Sequence, residues 1–93
     1  MVHEIKILPA FFEAVIRGEK NFEIRNNKDK GYQKGDTITL IEQRAESPIP
    51  TGRGQMIEVK YVSNYSQPEN QVVFGFSLIG DVIEIDKLFK RQQ

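Results

Sequence analysis

The amino-acid sequence predicts a small α+β protein that is mainly β, a barrel of about five to six strands with one N-terminal helix packed at its side. Three observations predict it: one early segment of helical period, several later segments that alternate with period two, and 93 residues, enough for a single core. Short, evenly spaced strands leave exposed edges unless the sheet bends, so we expect it to close or nearly close. The whole chain, 1–93, is predicted to be one domain, with its core at about 2–80 and a C-terminal extension at 81–93.

The helix is predicted from Pro9 to about Arg17. Its apolar residues fall at helical spacing, and they are Leu8, Phe11, Phe12, Val15 and Ile16. Pro9 suits the first helical position and Gly18 suits the end. We expect this apolar stripe to be buried against the barrel, since no other element is available to cover it.

The strands are predicted from alternation and from the turn residues between them. They are His3 to Leu8, Asn21 to Asn26, Thr37 to Ile41, Ile57 to Tyr61 and Val72 to Ile79. In the third of these, Ile38 and Leu40 are expected to point inward. The last is apolar on both faces, which predicts a central strand buried on both sides. Asp81 to Asp86 can add an edge strand, and Lys87 to Gln93 can fray or form a helical turn.

Composition excludes several classes of site. The chain has no cysteine and one histidine, which excludes disulfides, thiolate nucleophiles and cysteine-ligated zinc. We therefore predict no metal and no cofactor. No apolar run approaches the roughly 20 residues that span a bilayer, and His3, Glu4 and Lys6 are polar where a signal peptide is apolar. The expectation is a soluble, cytoplasmic protein without a membrane partner.

The formal net charge is zero, which argues against a protein that coats nucleic acid through bulk electrostatics. Positive charge is nevertheless concentrated between positions 17 and 34. The bases there are Arg17, Lys20, Arg25, Lys28, Lys30 and Lys34, against the acids Glu19, Glu23 and Asp29. This concentration predicts either a local binding patch or simply a solvated hairpin tip.

The segment from Gly18 to Arg25 is the strongest candidate for a site. Its strand period places Glu23 and Arg25 on one face, just after Lys20. Lysine and arginine suit phosphate or carboxylate ligands, and a glutamate can accept a hydrogen bond from the exocyclic amine of a base. The alternative interpretation is a surface ion-pair network, which contributes about 0 to 1 kcal/mol.

These residues resemble the signature of the ASCH domain, in the PUA-like superfamily. The signature is Gly-x-Lys-x-x-Glu-x-Arg, present as Gly18, Lys20, Glu23 and Arg25. The chain is most similar to small bacterial and phage ASCH proteins of unassigned function. Their further motifs correspond to His3, Lys6, Leu8 and Pro9, then to Gly35-Asp36, Thr51-Gly52-Arg53 and Val72-Val73-Phe74-Gly75. The resemblance covers about Val2 to Gly80.

The resemblance implies a PUA-like barrel with a cleft beside the helix that holds RNA or a modified nucleoside. Our leading hypothesis is an RNA- or nucleotide-binding module, with three residues lining the cleft and three at its edges. The lining residues are Lys20, Glu23 and Arg25, and the edge residues are His3, Lys6 and Arg53. His3 is a candidate for proton transfer or a base contact, and Arg53 for a phosphate. Tyr32, in a basic loop expected to be exposed, is the best-placed aromatic for stacking on a base.

Two alternatives stay open. Some ASCH proteins are amidohydrolases that remove an acyl group from cytidine with a threonine nucleophile, and here Glu23 occupies the position of that threonine. A hydrolase acting on a modified nucleoside would then use Glu23 as general base on water, with Lys20 or Arg25 at the oxyanion. The other alternative is an adaptor that binds another protein through a sheet edge. The sequence leaves the oligomeric state open.

Overall fold

The computed structural model describes residues 1–26 and 31–85, which form five strands and one short helix. In chain order they are β1 (Val2–Ile7), α1 (Pro9–Ile16), β2 (Phe22–Asn26), β3 (Thr37–Glu42), β4 (Arg53–Ser63) and β5 (Gln71–Glu84). The predicted mainly β architecture with one N-terminal helix is confirmed.

All five strands belong to one sheet in the order β1-β3-β4-β5-β2. β1 runs parallel to β3, and the other neighbours are antiparallel. The two edge strands, β1 and β2, approach each other, because Arg25 Nη2 on β2 donates a hydrogen bond of 3.1 Å to the carbonyl oxygen of Lys6 on β1. The sheet is therefore curved into a half-barrel, and the side chain of Arg25 spans its open seam.

The core fills the concave side of this sheet. Ile38 and Leu40 of β3 point inward with no exposed surface, as their alternation predicts. The same cluster takes in residues from every strand except β2, together with α1 and the loop before β3. Its buried members are Ile5, Ile7, Phe12, Val15, Tyr32, Ile38, Leu40, Ile57, Val59, Val72, Phe74 and Phe76.

α1 begins with Pro9 at its first turn and ends in a Schellman motif. Gly18 has φ of +78°, its N–H donates to the carbonyl of Val15, and the N–H of Glu19 donates to the carbonyl of Ala14. Glycine suits this place because a left-handed backbone strains other residues. The motif turns the chain sharply back toward β2, which brings the following Lys20 beside the helix.

The apolar stripe of α1 is only partly buried, contrary to expectation. Phe12 and Val15 have no exposed surface, whereas Phe11 is 49% exposed and Leu8 is 41% exposed. A helix of two turns laid on the rim of a half-barrel is covered on one side only. The sequence pattern does not distinguish the covered side from the flank.

β5 departs from expectation in two ways. It lies between β4 and β2, so the predicted interior position is confirmed, but its outer face is not buried, since Ser77 is exposed and Ile79 is 40% exposed. Leu78, which shares the inner face with Phe76, is 41% exposed as well. The sequence predicts a separate edge strand from Asp81 to Asp86. For the residues up to Glu84 this prediction is wrong. That segment continues β5 and pairs with the start of β4, Ile83 opposite Gly54. The predicted frayed end, Lys87 to Gln93, lies outside the described residues.

Within 1–26 and 31–85, no helix has the length and apolar character needed to cross a membrane.

Candidate functional site

Three charged residues of the Gly18 to Arg25 segment come together and are called here the motif cluster: Lys20, Glu23 and Arg25. Glu23 is 5% exposed and lies opposite Phe74 on β5. Its Oε1 lies 3.3 Å from Lys20 Nζ, and its Oε2 accepts a hydrogen bond of 3.1 Å from Arg25 Nε. The alternation of β2 explains this arrangement, because residues 23 and 25 share the inner face of the strand.

Two half-exposed aromatic rings flank the ammonium of Lys20. Lys20 Nζ lies 5.0 Å from the ring centroid of Phe11 on α1 and 4.9 Å from that of Phe22 on β2. Both distances are within the range of a cation–π interaction. Phe11 and Phe22 are 49% and 44% exposed, so the rings are also accessible from solvent. The sequence patterns assign neither phenylalanine to the site, and the helical stripe instead predicts that Phe11 is buried.

Arg25 joins the motif cluster to β1. While its Nε is bound to Glu23, its Nη2 donates to the carbonyl of Lys6 across the seam. The backbone of Lys6 therefore borders the cluster, and the predicted binding role of its side chain stays a prediction. The Lys6 residue is exposed. The guanidinium fork suits this position, since it can donate to two acceptors at once.

Tyr32 is buried at 5% exposure, so the expectation of an exposed stacking residue is wrong. Its ring packs 4.8 Å from the ring of His3 and 5.0 Å from that of Phe74. Burial raises the pKa of Tyr32, the charge of Arg25 opposes this shift, and the charge of Glu23 adds to it. The phenol thus forms part of the wall beneath the motif cluster, because a large ring gains more from this apolar contact than from solvent.

His3 is held inside the protein by Asp36. His3 Nε2 lies 2.9 Å from Asp36 Oδ2, and both side chains are almost fully buried. Burial would raise the pKa of Asp36, but hydrogen bonds from His3, the Gln33 N–H and the Met1 amino group hold this pKa below its usual value. The structure gives His3 a partner in the turn before β3. The sequence offered a signal for this partner in the Gly35-Asp36 turn.

Arg53 lies in a second group, called here the Arg53 cluster: Glu13, Glu42, Thr51 and Arg53. The guanidinium binds Glu42 through Nε at 2.9 Å and through Nη2 at 2.8 Å, and Nη2 also lies 2.8 Å from Glu13 Oε1. It packs over the ring of Phe12, at 4.9 Å. The hydroxyl of Thr51 donates to Glu42 as well.

The Arg53 cluster does not join the motif cluster. Lys20 contacts Phe11, whereas Arg53 contacts Phe12 and Glu13, which lie on the other flank of α1. Arg53 is thus engaged by two carboxylates, and its contacts lie with Glu13 and Glu42 rather than with Lys20, Glu23 or Arg25. The cluster borders an open depression of about 500 Å³, lined by Pro9, Ala10, Glu13, Glu42, Arg44, Thr51 and Arg53.

Glu42 is the principal residue that sequence reasoning missed. It is 4% exposed, and the hydrogen bond from Arg53, opposed by burial and aided by Thr51, holds its pKa below the usual value. The only signal was a carboxylate directly after the predicted strand Thr37 to Ile41, at the position that ends β3. For the described part of the chain, no group of three or more histidine, aspartate or glutamate side chains is arranged to hold a metal ion.

The chain matches a protein family over residues 2–76, from β1 to the middle of β5. This span contains every residue of both clusters. A match over this much of the chain is enough to assign the family. The chain belongs to DUF3850, a family described as a domain of unknown function.

Among curated proteins, the chain is similar to two kinds of relative. It is 29% identical over 84 residues to an uncharacterized 12.9 kDa protein in the GpA 3′ region of Escherichia phage P2, covering 90% of this chain and 74% of that protein. It is 37% identical over 75 residues to elongation factor 4 of Mesomycoplasma hyopneumoniae strains 7448 and J, covering 77% of this chain. The matched segment is 11% of the elongation factor's length.

Proposed function

We propose that this DUF3850 protein is an ASCH-type, PUA-like domain that binds RNA or a nucleotide at the motif cluster. One observation carries the proposal. Two cations, Lys20 and Arg25, converge on a single buried carboxylate next to two half-exposed aromatic rings. Cations for phosphate beside rings for stacking are the combination that binds unpaired nucleic acid.

The cations are both restrained and accessible. The side chain of Lys20 is 19% exposed and that of Arg25 is 32% exposed, so each can be reached from solvent at one end. Glu23 orients them and offsets only one of the two positive charges. The motif cluster therefore keeps a net positive charge for an anionic ligand, although the whole chain is neutral.

Binding fits the geometry of Glu23 better than hydrolysis does. A general base needs a free oxygen within hydrogen-bond reach of its water. Here Oε1 is paired with Lys20 and Oε2 with Arg25. The same pairing holds both cations at the motif cluster, close to the half-exposed rings, which serves a binding role directly.

The comparisons are in keeping with a binding module. A segment similar to this chain lies within a much longer elongation factor, so the unit occurs as part of a larger protein. A small domain that contributes an interaction to a larger protein fits that setting.

The test is titration of a short, fluorescently labelled single-stranded RNA followed by anisotropy. Lys20→Ala and Arg25→Ala are each expected to weaken binding by about five- to tenfold, because each removes a charge-assisted contact. Lys60→Ala and Arg17→Ala are matched controls, since each removes an exposed cation that is also ion-paired with a glutamate. Equal loss of affinity in the controls, or unchanged binding in the two cluster variants, would contradict the proposal.

A further inference from the structure

We propose that the ligand of the motif cluster is a nucleotide whose base carries a positive charge, such as an N-methylated purine. This inference rests on the proposed function and specifies its ligand. A cation, the ammonium of Lys20, already lies close to the rings of both Phe11 and Phe22.

We call the space between the two rings the slot, and the contacts of Lys20 set an upper limit on its width. Because Lys20 Nζ is 5.0 Å from one centroid and 4.9 Å from the other, the centroids are at most about 10 Å apart. Aromatic pairs stack with centroids from about 4.5 Å apart, so a flat ring inserted between two others needs outer centroids about 9 Å apart, which lies within that limit. Both phenylalanines are half-exposed, so their rings have room to rotate toward this separation.

The chemistry of the slot selects for positive charge. Aromatic faces attract cations through their quadrupole, and pairs of rings are the usual receptor for methylated ammonium groups. A buried carboxylate lies beside the slot, since Glu23 Oε1 is 3.3 Å from the same ammonium. A cationic base entering between the rings would replace the charge of Lys20 next to Glu23. A neutral base would leave that oxygen without a cationic neighbour.

The ammonium displaced from the slot has an evident new partner. Lysine carries its charge on a flexible four-carbon stem, so Lys20 can turn outward toward the phosphate of the same nucleotide. Arg25 meanwhile keeps its hydrogen bond to Glu23 Oε2. The cationic base would thus replace Lys20 beside Glu23, and Lys20 would bind the phosphate of the same nucleotide.

The experiment compares ligand pairs by isothermal titration at slightly acidic pH, where the methylated base keeps its charge. N7-methylguanosine 5′-monophosphate is expected to bind about tenfold more tightly than guanosine 5′-monophosphate, from its contacts with two rings. Phe11→Leu and Phe22→Leu should each abolish most of this preference while keeping an apolar side chain. Tyr65→Leu, at an exposed aromatic elsewhere, is the control and should leave the preference unchanged.

A second variant separates the slot from the phosphate contact. Lys20→Ala empties the slot, so it should tighten binding of the nucleoside N7-methylguanosine, which lacks phosphate, while weakening binding of the unmodified RNA. Equal affinity for methylated and unmethylated nucleotides, with RNA binding still dependent on Lys20 and Arg25, would overturn this inference and leave the proposed function standing. Loss of that dependence would overturn the proposed function itself.

Discussion

At the scale of single residues, the buried carboxylates are the most informative side chains. Glu23 and Glu42 are each about 95% buried, and each is held by an arginine. A buried charge of this kind is stable only while its partners remain. Both residues therefore fix the local geometry, one at each flank of α1.

Substitution of Glu42 by glutamine should destabilise the fold by about 2 kcal/mol, because it leaves Arg53 with one carboxylate partner and removes a buried ionic hydrogen bond. Urea denaturation at neutral pH measures this change. Glu58→Gln is the matched control: Glu58 is 2.8 Å from Lys60 at the surface, and its loss should cost about 0.5 kcal/mol or less. Equal effects of the two substitutions would show that burial of Glu42 contributes nothing.

The same carboxylate makes stability depend on pH. The pKa of Glu42 is lower in the folded than in the unfolded protein, so the unfolded state binds the proton first as pH falls. Its stabilising contribution is complete above the ordinary value of 4.5 and is lost as pH drops through the folded pKa. Asp36 acts in the same direction below 3.8. Stability should thus decline in acid, and less steeply in Glu42→Gln than in the wild type.

At the scale of elements, α1 shows which features hydrophobic periodicity predicts and which it does not. Its bounds and its C-terminal glycine follow from the sequence, and the structure confirms them. Periodicity also assigned Phe11 to the core, which is wrong, because a rim helix is covered on one side only. The exposed ring is the one that flanks Lys20.

Two neighbouring phenylalanines of α1 should therefore respond very differently to substitution. Phe12→Ala is expected to lower the free energy of unfolding by about 3 to 5 kcal/mol, since it opens a cavity in the core. Phe11→Ala should lower it by about 1 kcal/mol or less, because its ring is half exposed. Thermal and urea unfolding of both variants would decide this, and a large loss in Phe11→Ala would place that ring in the core after all.

At the scale of the whole molecule, net charge and curvature matter most. The chain is neutral overall, so any attraction for nucleic acid must come from a few local cations. Curvature brings these together: the sheet bends until Arg25 on one edge strand reaches the backbone of Lys6 on the other. The seam between β1 and β2 is thus where the charge of the cluster is concentrated.

RNA affinity should accordingly fall with salt, but only gently. Single strands give a slope of about −0.7 in log affinity against log salt for each phosphate neutralised, so two contacts predict about −1.4. Lys20→Ala and Arg25→Ala should each make this slope shallower by about 0.7. Anisotropy titrations across a salt series measure it. A much steeper slope would indicate that many more cations than Lys20 and Arg25 take part and would contradict binding at the motif cluster alone.

The sequence by itself determined the element types, the strand alternation and the grouping of Lys20, Glu23 and Arg25, because these depend on residues close together in the chain. Only the tertiary structure decided which partners come from distant segments. It placed Tyr32 in the core, Arg53 with Glu42 on the other flank of α1, and Phe11 beside Lys20. Burial and charge pairing depend on how the curved sheet brings distant segments together. The spacing of residues along the chain does not predict that curvature.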